Sequence, residues 1–193
     1  MKDMMLLVEP LIPALRRYAR ALVKNHATAD DLVQDCLERA VSRWHQRRAD
    51  GDARTWLFSI LHNLAVSHMR QNRRRGSHVT LEDGIDEAMI ASPATQEDAL
   101  HHADVMRALH TLPEEQRSVL LLVSVEDLTY AEAARVLDIP IGTVMSRLAR
   151  AREKLSQKME GTPTPETTKS GATIHRPPFG APRLGAGFFR RVK

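Results

Sequence analysis

Thr143, Arg147, Arg150 and Lys154 recur at spacings of four, three and four, which sets them on one face of a helix. Ser146 and Arg152 flank that face. Such residues suit hydrogen bonding to a polyanion with readable edges. A guanidinium can donate two parallel bonds to a guanine edge or a phosphate, and hydroxyls serve either. Val144, Leu148, Ala151 and Leu155 repeat with the same spacing on another face, the side to be buried. An ordinary amphipathic helix with a solvated basic face has the same pattern, so the preceding residues decide its meaning.

Those residues, Leu128 to Leu137, form a short helical segment. Thr129 can cap it, and Glu132 stands three residues on, as in a capping box. Asp138 to Gly142 breaks the segment, Thr143 opens the next helix, and Ala134 is small where the two should cross. A capped helix, a tight turn and a second helix with a basic outer face make a helix-turn-helix built to enter a major groove. Upstream, Val105, Ala108, Leu109 and Leu112 form a stripe, and Pro113 opens another helix. The nearly continuous apolar run Val119–Val125 predicts burial on most sides.

The N-terminal part is also helical. Apolar residues at Ile12, Leu15, Tyr18, Ala19 and Leu22 mark one helix, and Asn25 to Thr28 interrupt it. Thr28 is the expected cap of the next helix, with Asp30 and Asp31 in its first turn, where the helix dipole favours carboxylates. That helix should bury Leu32, Val33, Cys36, Leu37, Ala40, Val41 and Trp44, leaving Asp31, Gln34, Asp35, Glu38 and Arg39 outside. After a polar loop, a third helix runs from about Ala53 to Arg74, carrying Trp56, Leu57, Ile60, Leu61, Leu64 and Val66. It ends in Arg70, Arg73, Arg74 and Arg75 and is closed by Gly76.

The net charge of +4 over 193 residues conceals blocks: +6 over 1–75, −7 over 76–104, zero over 105–160 and +5 over 161–193. The fold class expected is all-α, with two small helical domains, 1–75 and 102–160, joined by a flexible acidic linker, 76–101. A helical turn is expected near Asp86–Ile90, and the Pro-, Thr- and Gly-rich tail, 161–193, reads as disordered. No apolar run is long enough for a membrane span, and no signal peptide is evident. The single cysteine, Cys36, suits a reducing cytoplasm and a packing role. There is no Gly-rich phosphate loop, nucleophile motif or metal-spaced Cys/His set, and His101-His102 has no second pair. The expectation is a cytoplasmic, non-enzymatic protein without cofactor or metal.

Pro140-Ile141-Gly142-Thr143-Val144-Met145-Ser146-Arg147-Leu148-Ala149-Arg150-Ala151-Arg152-Glu153-Lys154-Leu155 resembles the terminal helix-turn-helix of extracytoplasmic-function (ECF) sigma factors, the compact branch of the bacterial sigma-70 family. Leu109 to Arg117 is similar to the start of the same domain. Independently, Ala29 to Ala40 resembles the family's polymerase-binding helix. Arg54 to Ala65, followed by Arg70 and Arg73–Arg75, resembles its promoter-melting segment. The resemblance spans about residues 8–158, with the segments in the family's order.

The resemblance implies a transcription initiation factor that binds core RNA polymerase. Its C-terminal domain would read the −35 promoter element through Thr143, Ser146, Arg147, Arg150 and Lys154. Its N-terminal domain would recognise and open the −10 element through Arg54, Trp56, Asn63, Arg70, Arg73 and Arg74. Asp31, Gln34, Asp35 and Glu38 would face the clamp helices of the polymerase's largest subunit, and the C-terminal domain would meet the flap of the second-largest. The loop Arg47–Arg54 would capture an unstacked base, at a cost of a few kcal/mol. An anti-sigma factor is an expected partner, and a stress response the expected setting. The acidic linker either mimics nucleic acid in a basic channel or is merely kept extended by self-repulsion. The alternative function is a stand-alone helix-turn-helix activator, which leaves the first domain unexplained.

Overall fold

The computed structural model describes residues 2–47, 52–74 and 96–160, and among them every regular element is helical. The expected turn near Asp86–Ile90 and the tail 161–193 lie outside the described residues. In chain order the α-helices are α1 (Lys2–Val8), α2 (Ile12–Leu22), α3 (His26–Arg43), α4 (Ala53–Arg74), α5 (Gln96–Thr111), α6 (Glu114–Ser124), α7 (Tyr130–Leu137) and α8 (Ile141–Glu160).

In the first lobe α2, α3 and α4 pack against one another. Leu15, Tyr18, Ala19, Leu22, Leu32, Val33, Cys36, Leu57, Phe58 and Leu61 fill the space between them. Tyr18 and Phe58 meet edge to face with ring centroids 5.4 Å apart, a favoured aromatic geometry. The start of α3 differs from expectation. Its cap is Asn25, whose carboxamide oxygen accepts the Thr28 N–H at 2.9 Å, so the helix begins at His26 and Thr28 lies inside it. Helix α1, an apolar run without a clear stripe, buries Met4 and Val8 and exposes Met5, Leu6 and Leu7.

In the second lobe α6 packs against α7 and α8, and α5 packs against α8. Val119, Leu120, Leu121 and Leu122 are all essentially inaccessible, as the apolar run predicted. Helix α5 starts at Gln96, inside the segment read as linker. The two lobes also pack on each other, α2 against α5 and α6, and α4 against α7. One hydrophobic cluster therefore runs through both.

Candidate nucleic-acid and polymerase interfaces

The turn of the helix-turn-helix is set by local chemistry. Thr129 Oγ1 accepts the Glu132 N–H at 3.3 Å, while the Glu132 carboxylate accepts the Thr129 N–H at 2.7 Å. This capping box fixes where α7 begins. Hydrogen bonds from the Thr129 hydroxyl and backbone hold the Glu132 carboxyl below its usual range. Asp138 ends α7 in the left-handed region (φ 52°), where a short polar side chain is tolerated. Pro140 then offers its carbonyl to the N–H groups of Thr143 and Val144, so α8 starts at Ile141, two residues earlier than expected. Ala133 is the fully buried small residue of α7, whereas Ala134 is partly exposed and its carbonyl accepts the Ile139 N–H at 3.1 Å.

On α8, Val144, Leu148, Ala151 and Leu155 are buried, as their spacing predicted. Ser146, Arg150 and Lys154 are exposed, and Thr143 is half-buried. Arg147 departs from this free surface: only a quarter of its side chain is exposed, and it pairs with Glu115 of α6 at 2.8 Å. Arg152 turns back to donate to Ser124 at 3.5 Å.

The residues singled out in α4 fall into two groups. Asn63, Arg70, Arg73 and Arg74 are exposed along one helix, while His62 beside Asn63 is turned inward to Tyr18, its Nδ1 3.0 Å from the phenol oxygen. Burial depresses the His62 pKa to about 4 and raises that of the Tyr18 phenol. At the other end, Asp52 caps α4: one carboxylate oxygen accepts both the Thr55 N–H (2.9 Å) and hydroxyl (2.7 Å). Burial pushes that carboxyl up, but these bonds outweigh it and hold it below its ordinary value. The cap places Trp56 edge to face against Trp44 (5.9 Å), with the Arg47 guanidinium 4.7 Å above the Trp44 ring. Residues 48–51 of the loop expected to capture a base lie outside the described residues. Arg54 points away from solvent, donating to the Glu126 carbonyl and lying over Phe58.

Helix α3 presents Asp31, Gln34, Asp35 and Glu38 on one exposed face, with Gln34 donating to Glu38 at 3.1 Å. Val41 extends this face by a further turn and is 54% exposed, although its apolar type suggested burial. Its spacing of seven from Gln34 could have shown this. Cys36 is buried, its thiol 3.5 Å from the Leu57 carbonyl. Burial pushes its pKa up to about 12, which fits a packing role rather than a reactive one.

Sequence reasoning missed the polar seam between lobes. Glu126, with no side-chain exposure, receives two bonds from Arg17 of α2, at 2.9 and 2.7 Å. Burial raises the Glu126 carboxyl above its ordinary value, with Arg17 drawing it back down. Arg73 of α4 pairs with Glu114 of α6 at 2.9 Å.

Both lobes match known families. Residues 8–62 match the sigma2 domain of PhyR, and residues 102–155 match sigma-70 region 4. The ECF RNA polymerase sigma factor EcfG of Rhodopseudomonas palustris is 37% identical over 145 residues, covering 75% of this chain and 78% of that protein. SigC of Mycobacterium tuberculosis, another ECF sigma factor, is 33% identical, covering 70% and 72%. Among solved structures, the sigma factor RpoE of Bartonella quintana, in complex with the anti-sigma factor NepR, superposes with a TM-score of 0.71. It is 31% identical and covers 83% of this chain and 99% of that one. Matches to both lobes, in order, give no support to a stand-alone activator that uses only the second. The chain belongs to the ECF branch of the sigma-70 family and is a sigma factor, directing RNA polymerase to promoters.

Proposed function

We propose that the two lobes divide the promoter between them. Ser146, Arg150 and Lys154, with Thr143 and with Arg147 once it leaves Glu115, read the −35 element from the major groove. Asn63 and Trp56 serve the −10 element, and Arg54, Arg70, Arg73 and Arg74 hold phosphates there. Asp31, Gln34, Asp35, Glu38 and Val41 dock on the clamp helices of the largest polymerase subunit, and the second lobe meets the flap of the other large subunit. The observation carrying this reading is that an exposed acidic face on α3 and an exposed polar and basic face on α8 coexist on one chain. The first is unsuited to DNA and the second to a basic partner.

The protein acts in the cytoplasm without catalysing a reaction itself, and an anti-sigma protein is a partner, as NepR is for the Bartonella sigma factor. The two working units are residues 1–75 and a second that opens with α5 at Gln96 and runs to 160, with 76–95 connecting them.

In vitro transcription with core polymerase tests the reading. Specific initiation is expected with wild type. Asp35→Arg should abolish core binding while leaving circular dichroism unchanged, and Arg150→Ala should impair promoter use without affecting core binding. Unchanged core affinity for Asp35→Arg would remove the α3 face from the assignment.

A further inference from the structure

The carboxylates on the outer face of α3 have no counter-charge among the described residues. Asp31, Asp35 and Glu38 are exposed one turn apart, and none of them is in an ion pair there. Val41 closes the row, more than half exposed. The face thus couples three unneutralised carboxylates to an apolar end. The complementary composition lies in the same chain. Residues 161–193 carry six cations and one carboxylate, and 188–193 read Phe188-Phe189-Arg190-Arg191-Val192-Lys193, three cations beside two aromatic rings.

The route between the two is short. Lys158, near the end of α8, shares a shallow cleft with Asp104, Arg107, Ala108 and Thr111 of α5. Helix α5 packs on α2, and α2 on α3, so three interhelical steps of about 8–10 Å separate the end of α8 from α3. Phe188 stands 28 residues past Glu160, and a chain of that length can span up to about 90 Å.

We propose that residues 188–193 dock on the α3 face of their own chain and so compete with the polymerase for it. Arg190, Arg191 and Lys193 lie against Asp31, Asp35 and Glu38, with the Phe188 and Phe189 rings toward Val41. The docking stands on this face and this segment alone; only the competition rests on the assignment of α3 to the clamp helices. Guanidinium–carboxylate bonds are charge-assisted, and a DNA duplex would engage the three cations while leaving both rings in water. Exposed pairs are individually weak, but the tether holds the segment at an effective concentration on the order of millimolar. Docking of this strength yields to a large interface and adds little to global stability.

The test uses the full isotope-labelled chain with a spin label at Gly187→Cys, Cys36 being buried and unlabelled. The amide signals of Asp31, Gln34, Asp35, Glu38 and Val41 should broaden, and the effect should fade as salt rises from about 0.05 to about 0.5 M. It should be lost in Arg190→Glu/Arg191→Glu, and regained when Asp31→Arg/Asp35→Arg is added and the charges are exchanged. The tail variant, which leaves every described helix intact, should bind core polymerase roughly 2- to 30-fold more tightly, the range for two weak ion pairs. Absence of broadening on α3 overturns the docking. So does broadening that arises only from spin-labelled chains mixed with isotope-labelled ones, which puts the segment on a second copy. Broadening confined to α8 and seen only with promoter duplex overturns it too, making the segment a DNA contact. Unchanged core affinity in the tail variant, where Asp35→Arg still abolishes core binding, overturns the competition. Full core affinity in Asp35→Arg removes the α3 assignment and the competition with it, while the amide signals still decide the docking.

Discussion

At the scale of single residues, exposure separates the arginines of α8 into different tasks. Arg150 is exposed, Arg147 is paired with Glu115, and Arg152 is folded back on Ser124. Arg150→Ala in holoenzyme should cost about 1–3 kcal/mol if the side chain reads a base, and should relax preference at that position alone. Binding measured over promoters varied one base at a time checks this, and an equal loss across all sequences would assign Arg150 to a phosphate. Arg147→Ala should cost less than a full contact, because the wild-type side chain must first leave Glu115. On α3, Val41 is an apolar side chain in water beside four polar residues. Val41→Asp should weaken core-polymerase binding, measured by titration, while leaving the urea midpoint unchanged, since the residue buries little in the free protein.

At the scale of elements, helix ends carry much of the positioning. Asp52 ties down the first turn of α4 and so orients Trp56 against Trp44. Asp52→Ala should destabilise the protein by about 1 kcal/mol, read from chemical denaturation. The same variant should impair promoter opening more than duplex binding, because the cap sits beside the loop assigned to the unstacked base. The capping box of α7 and the left-handed Asp138 do the equivalent work for α8, setting the angle at which Ser146 and Arg150 meet a groove.

At the scale of the whole molecule, buried imidazoles set how stability depends on pH. His62, depressed to about 4, is neutral in the folded state at pH values where its unfolded counterpart near 6.5 takes up a proton. The stability it contributes is therefore complete above about pH 6.5 and is lost as pH falls toward 4. The amount at stake is up to roughly 3 kcal/mol. Urea midpoints measured between pH 7 and 4.5 should fall, and the fall should shrink in His62→Gln, which keeps a polar partner for Tyr18 without titrating. His110, also depressed by burial, adds in the same direction.

How much of this was legible in sequence follows from the range of the forces involved. The helix-turn-helix was readable because it is local: a capping box closes within three residues, and the buried stripe of α8 repeats every three or four. The acidic face of α3 was readable for the same reason, except Val41, whose apolar type pointed inward while its angular position points out. The cap of α3 was misplaced because Asn25 and Thr28 are both competent caps, and only the backbone at Asn25 (ψ 124°) decides between them. The sequence by itself thus determined α2 to α8 in their order and the family, but neither α1 nor the start of α5. The tertiary structure alone decided that Glu126 is buried against Arg17, and that Glu114 and Glu115 sit on Arg73 and Arg147. Those partners lie between 32 and 109 residues apart, and no helical or turn period links such distances. Only the packing of two lobes brings those charges within reach of each other.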